Sequence, residues 1–202
     1  MSDNKDNNPV SETTKNTKSE TNQVVESNNS GGDSARRAEL SCLSTLASHA
    51  EKTNSLEVTR PTVTNCPDGG HDLGAVGETK EVKELVSILT GKPYEYLSFL
   101  DERAKNGKLK VRIDVKNGKT ISGDIIDKHT ADSNRSPDCQ VNLLLLTNPD
   151  VKITPEASKR LNKQREQFKE IGTLIDIALP DGLEKIKVMN NSITENKRSE
   201  EE

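Results

Sequence analysis

The sequence contains no tryptophan and only four other aromatic residues, two Tyr and two Phe; 30% of it is hydrophobic and 31% charged. A chain this poor in large apolar side chains lacks the surface to bury its whole length, which predicts one small folded domain with long polar flanks. No apolar run reaches membrane-spanning length, and the opening stretch MSDNKDNNPVSETTKNTKSE has no apolar core of the kind a secretory signal carries. Cysteine is scarce. Cys42, Cys66 and Cys139 stand far apart and make neither a CxxC pair nor a disulfide framework. Scattered thiols of this kind predict a reducing compartment and a cytoplasmic protein. An excess of positive charge is missing too: residues 92–189 hold 18 Lys/Arg against 15 Asp/Glu, without the strong electrostatic footprint of a nucleic-acid binder.

Motifs of chemistry are equally sparse. His49, His71 and His129 have no Cys or carboxylate at a ligand or catalytic spacing. The glycines of DGGHDLGAVGE, 68–78, follow no strand and open no helix, so they fail as a phosphate loop and read as a linker. No Arg/Gln-x-x-Gly-x-Gly/Ala string is present to cradle the pyrophosphate of coenzyme A. The expectation is a chain with no catalytic residue, no cofactor and no metal.

What is present begins late. Residues 1–79 are rich in Ser, Thr, Asn and Glu without a sustained period and read as a disordered low-complexity region; ARRAELSCLSTLASHA, 35–50, with Leu40, Leu43 and Leu46 on one side, reads as a transient helix within it. The folded domain is expected over 80–189, with 190–202 a disordered charged tail. Val82, Leu85, Val86 and Leu89 fall on one stripe of a helix ending near Gly91. Pro93 opens a second helix, PYEYLSFLDERAK, closed by Asn106-Gly107. In KLKVRIDVKNGKTISGDII, 108–126, Leu109, Val111, Ile113 and Val115 alternate with Lys110, Arg112 and Asp114, one face buried and one wet. Asn117-Gly118 is a hairpin-turn signal, and Gly123 in the return strand suits a barrel corner. QVNLLLLTN, 140–148, reads as a strand buried on both faces. Thr154-Pro155-Glu156 caps and opens a charged helix with Ala157, Leu161 and Phe168 to pack. IGTLIDIAL, 171–179, a turn at Pro180-Asp181-Gly182 and a last strand LEKIKV, 183–188, complete a helix-plus-five-strand pattern: a mainly-β small barrel.

These residues resemble the Sm and Sm-like proteins. VRIDVKNGKTISGDII is similar to the family's first motif. Asp138-Cys-Gln-Val-Asn142, followed by Leu143–Leu146, is similar to its Asp-x-x-Met-Asn loop and Leu-rich strand, and IGTLIDIALPDGLEKIKV to its second motif. The resemblance implies a five-stranded SH3-type barrel behind an N-terminal helix. Two departures bear on function. The insert TADSNRSPD lengthens the loop that in the family presents Asp and Asn to RNA, and Leu179-Pro180 stands where the family has Arg-Gly, removing the guanidinium that grips a base and its phosphate.

With that slot changed, the chain resembles the small Sm-like auxiliary subunit of the N-terminal acetyltransferase C complex. The resemblance implies a non-catalytic scaffold, cytoplasmic and ribosome-associated, that packs against the large auxiliary and catalytic subunits. The expected partner interface is the edge strand and turn, Leu174, Ile175, Ile177, Leu179 and Pro180, since GTLIDIAL lacks the lysines and prolines that blunt an edge. The alternative is an RNA-binding subunit of a hetero-oligomeric ring in splicing or decay, nuclear, using Asp138 and Asn142. Asx side chains at such places also cap loops by bonding nearby amides.

Overall fold

The stripe Val82, Leu85, Val86 and Leu89 does form a helix, α2 (Thr79–Thr90), and all four side chains are buried. Gly91 ends it at φ 69°, donating its N–H to Ser87 O, a left-handed cap that glycine adopts without a Cβ clash. Pro93 then opens a 3-10 helix (Tyr94–Arg103), and the chain turns into β3 (Lys108–Lys116) through Asn106 and Gly107, both at positive φ.

The structure, a computed structural model, describes residues 30–60 and 72–200. Ahead of α2 lie α1 (Ser30–Thr53), β1 (Leu56–Thr59) and β2 (Leu73–Glu78). After β3 come β4 (Thr120–Ile121), α3 (Gly123–Asn134), β5 (Val141–Leu146), β6 (Lys152–Ile153), α4 (Pro155–Glu170), β7 (Leu174–Ala178) and α5 (Pro180–Glu200). Three of these elements fall wholly within residues 1–79, and Cys42 and Leu46 of α1 belong to the main core. Residues 1–29 and 61–71, including Cys66 and His71, lie outside the described residues, whereas α5 runs through most of 190–202.

The mainly-β Sm-like barrel is overturned. The main sheet is open and mixed, in the order β1-β2-β3-β5-β7. β1, β2 and β3 form an antiparallel meander; β3, β5 and β7 run parallel, joined by α3 and α4. Both connections step the same way along the sheet, so two right-handed crossovers place their helices on one face. There Ile126, Ala157 and Leu161 pack on Leu144, Leu146 and Ile177. On the other face α1, α2, the 3-10 helix and α5 cover Leu109, Val111, Ile113, Val115, Leu143 and Leu145. The result is a three-layer α/β/α fold.

Two misread segments account for the change of class. The hairpin over 108–126 does not form: Asn117 and Gly118 are not among the positive-φ residues that a primed turn requires, and Thr120–Ile121 pairs in parallel with β6 rather than folding back on β3. Gly123 is no barrel corner but the first residue of α3, where Ile126, His129, Thr130 and Ser133 recur at helical spacing on the buried side. A Cβ there would lie 2.7 Å from Arg160 Nε of α4. The expected last strand LEKIKV is likewise helical. Leu183, Ile186 and Asn190 are its buried positions, spaced three and four apart, and Pro180 suits a first helical turn. Gly182 lets α5 sit on the end of α2, since a Cβ would come within 2.5 Å of Leu89 O.

Candidate functional site

The three parallel strands end together, and the residues just beyond them converge. Asn117 follows β3, Thr147 follows β5 and Pro180 follows β7; all three line a cleft of about 380 Å³. One wall is α1, contributing Ser34, Arg37, Ala38, Ser41 and Cys42; the other is the first part of α5, contributing Leu183, Glu184 and Lys187. α1 is held at this place by Cys42 and Leu46, which pack into the core. Farther along, α1 and α5 are tied by polar contacts: His49 Nδ1 lies 3.1 Å from Asn190 Oδ1, and Lys52 Nζ donates to Asn190 O at 2.7 Å.

A hydrogen-bonded rail crosses the cleft. Thr147 Oγ1 donates to Asn117 Oδ1 at 2.9 Å, and Asn117 Nδ2 donates to Ser34 Oγ at 2.9 Å, linking the ends of β5 and β3 to α1. Cation charge comes from both walls. Lys187 pairs with Glu184 one turn back on α5, while Arg37 makes no salt bridge among the described residues. Among the lining side chains two cations therefore face one carboxylate, with the Asp72 carboxyl close to Cys42 behind them. The Cys42 thiol, also part of the lining, is pushed up to about 12, chiefly by burial; the Lys187 cation opposes the shift while Asp72 and Glu39 add to it. A thiol held protonated is a poor nucleophile. Beside it Asp72 precedes β2 and accepts from the Val115 N–H at 2.6 Å. Burial raises its carboxyl above the usual range, against the lowering effect of that hydrogen bond and of Lys116.

A second polar constellation lies under α3 on the other face of the sheet. Arg112, fully buried on β3, donates through Nη2 to Asp114 Oδ1 at 2.8 Å and through Nη1 to Ser133 Oγ at 3.4 Å. His129 Nδ1 is 2.7 Å from Asp114 Oδ2. Asp132 stands 3.9 Å from Arg112 and accepts from Arg135 at 2.7 Å. Arg112 Nε, His129 Nε2 and Asn142 Oδ1 are buried without a hydrogen-bond partner. The alternation in β3 marks this face as wet, so the sequence reading missed the cluster; opposite charges two apart on a strand that turns out to be covered by helices were its only signal. Among the described residues no group of three His, Cys, Asp or Glu side chains is placed to hold a metal ion, and no helix is long and apolar enough to cross a membrane.

The structure separates the expected site residues. Asn117 joins the cleft, though not as a hairpin turn, and Gly118 lies next to it in the loop. Pro180 lines the cleft and Leu179 beside it is exposed, whereas Leu174, Ile175 and Ile177 of β7 are buried within the chain itself. β7 is one of the two edge strands of the open sheet, and Arg165 of α4 reaches its buried Asp176, donating from Nε at 3.1 Å. Asp138 and Asn142 do not share a loop. Asp138 is exposed and pairs with Lys110 at 3.0 Å, which holds its carboxyl below the usual range; Asn142 is fully buried in β5, opposite Arg112 in the register. Gly123 is not among the residues that line the cleft. Comparison with protein-family models, with curated proteins and with solved structures finds no match to this chain.

Proposed function

We propose that this chain is a non-catalytic α/β binding module that takes a small polar ligand in the cleft at the carboxyl ends of β3, β5 and β7. One observation carries the reading: the residues following all three parallel strands, Asn117, Thr147 and Pro180, line a single cleft. In open sheets of this kind ligands bind in the crevice outside the carboxyl ends, where loops can vary while the strands fix their positions. The lining favours binding over chemistry, since its buried thiol is kept protonated. The scattered cysteines support a cytoplasmic setting. The auxiliary-subunit reading and its RNA-ring alternative presuppose a barrel, whereas this reading starts from the open mixed sheet.

Ligand-observed NMR on the full chain, with a chemically diverse set of small polar molecules, tests the reading. Saturation transfer to at least one compound should be lost in Ser41→Trp, which fills the cleft from exposed α1, while the thermal unfolding curve stays unchanged. Transfer to no compound, or transfer indifferent to the tryptophan, defeats it.

A further inference from the structure

The cleft's charged groups narrow the ligand class, an inference that rests on the binding reading above. Arg37 projects from α1 and Lys187 from α5, so cations stand on both walls rather than along one exposed helix face. Arg37 has no acidic partner among the described residues, and Lys187 has only Glu184, an exposed neighbour on its own helix whose hold on it is weak and screened. Hydroxyls of Ser34 and Ser41 supply neutral donors, and the first turn of α5, with its positive end of the helix dipole, forms part of the same wall. We infer that the cleft binds the phosphate group of a phosphomonoester, held between Arg37 and Lys187 with Glu184 as the group it displaces.

The charge balance favours phosphate over a carboxylate. A phosphomonoester carries about −1.5 to −2 at neutral pH and three acceptor oxygens directed apart. It can accept from a guanidinium on one side and an ammonium on the other, and it leaves an oxygen for a hydroxyl. A carboxylate has one charge and two coplanar oxygens, so it satisfies one wall and gains little over Glu184. Glu184 thereby sets a threshold: a monoanion merely exchanges with it, while a dianion outcompetes it. Nucleotides, sugar phosphates and inorganic phosphate share this chemistry, and the lining of the remaining cleft, Ala38 and Leu183 among it, leaves room for an organic part.

Titration calorimetry on the full chain decides the matter, with inorganic phosphate, ribose 5-phosphate and AMP against ribose, adenosine and acetate. The phosphorylated probes should bind tighter than their unphosphorylated counterparts; AMP above ribose 5-phosphate points to a nucleotide source, and inorganic phosphate equal to both points to the free ion. Arg37→Gln and Lys187→Gln should each weaken phosphate binding by about tenfold or more, as loss of a charged donor does, and Glu184→Gln should tighten it. No preference for phosphate, or a dissociation constant unmoved by either cation substitution, overturns the inference. If a neutral compound still shows binding that Ser41→Trp removes, the phosphate assignment alone falls; if no probe binds, the binding reading falls with it.

Discussion

His129 Nδ1 lies 2.7 Å from Asp114 Oδ2, and the other oxygen of that carboxylate accepts from the fully buried Arg112 at 2.8 Å. One carboxylate on β3 thus neutralises a buried guanidinium and orients an imidazole on α3, fastening the helix to the sheet by charge where apolar contacts are few. The inner side of α3 carries His129, Thr130, Asp132 and Ser133 beyond Ile126.

This arrangement makes Asp114 far more sensitive than a strand carboxylate in water. Asp114→Ala takes the nearest carboxylate from Arg112, leaving it Ser133 and the more distant Asp132, and removes the partner of buried His129 Nδ1; it should cost about 3–5 kcal/mol in urea unfolding. Replacing the pair together, Arg112→Met with Asp114→Leu, removes both charges and should cost less than Asp114→Ala alone. Additive losses, or a single-mutant cost no larger than that of a surface change, contradict the buried-pair account.

The place of α1 in the core is tested by two leucines of the same helix. Leu46 is 1% exposed and Leu40 is 42% exposed. Leu46→Ala should destabilise by about 2–5 kcal/mol, while Leu40→Ala should stay within about 0.5 kcal/mol. Equal, small effects would mean that α1 is not packed on the sheet.

Cys42 should be nearly inert in the folded chain, because burial pushes its thiol up to about 12 and little thiolate exists at neutral pH. Alkylation with iodoacetamide, read peptide by peptide in a mass spectrometer, should label Cys42 orders of magnitude more slowly in buffer than in denaturant. Cys139, partly buried and also shifted up by burial, should lag in the folded state as well. Rapid labelling of Cys42 in native buffer would remove the argument that the cleft is non-nucleophilic.

Asp72 links stability to pH. Its carboxyl is raised by burial in the folded state, so across the window from the ordinary carboxylate value of 3.8 to the raised one the folded chain binds more protons than the unfolded chain. The contribution of this group to stability therefore falls as pH rises through that window and is flat above it. Asp72→Asn keeps an acceptor for the Val115 N–H and does not titrate. Its melting temperature should match the wild type below the window and exceed it above. A wild type that gains on the variant as pH rises has the opposite sign and refutes the assignment.

Much of the local structure was legible. The stripe ending at Gly91, the Thr154-Pro155 cap, with Thr154 Oγ1 accepting from Ala157 N–H at 3.1 Å, and the apolar strands at Val141–Leu146 and Leu174–Ala178 stand as read. The charges of Arg112 and Asp114 were legible but not their burial, because alternation records which residues share a face and not what covers it. Nor does any local pattern place Arg37 across from Lys187, 150 residues later in the chain.

The sequence by itself determined the elements whose signals lie within one or two turns: caps, helical stripes and the apolar character of the central strands. Direction and pairing were decided only in three dimensions. Asn117-Gly118 permits a hairpin, but Ile126 and Ala157 gain more by covering Leu144 and Leu146 from a helical layer, and that burial makes the neighbouring strands parallel. Because parallel strands deliver their carboxyl ends to the same side, the one cleft that gathers Asn117, Thr147 and Pro180 exists through the tertiary fold alone.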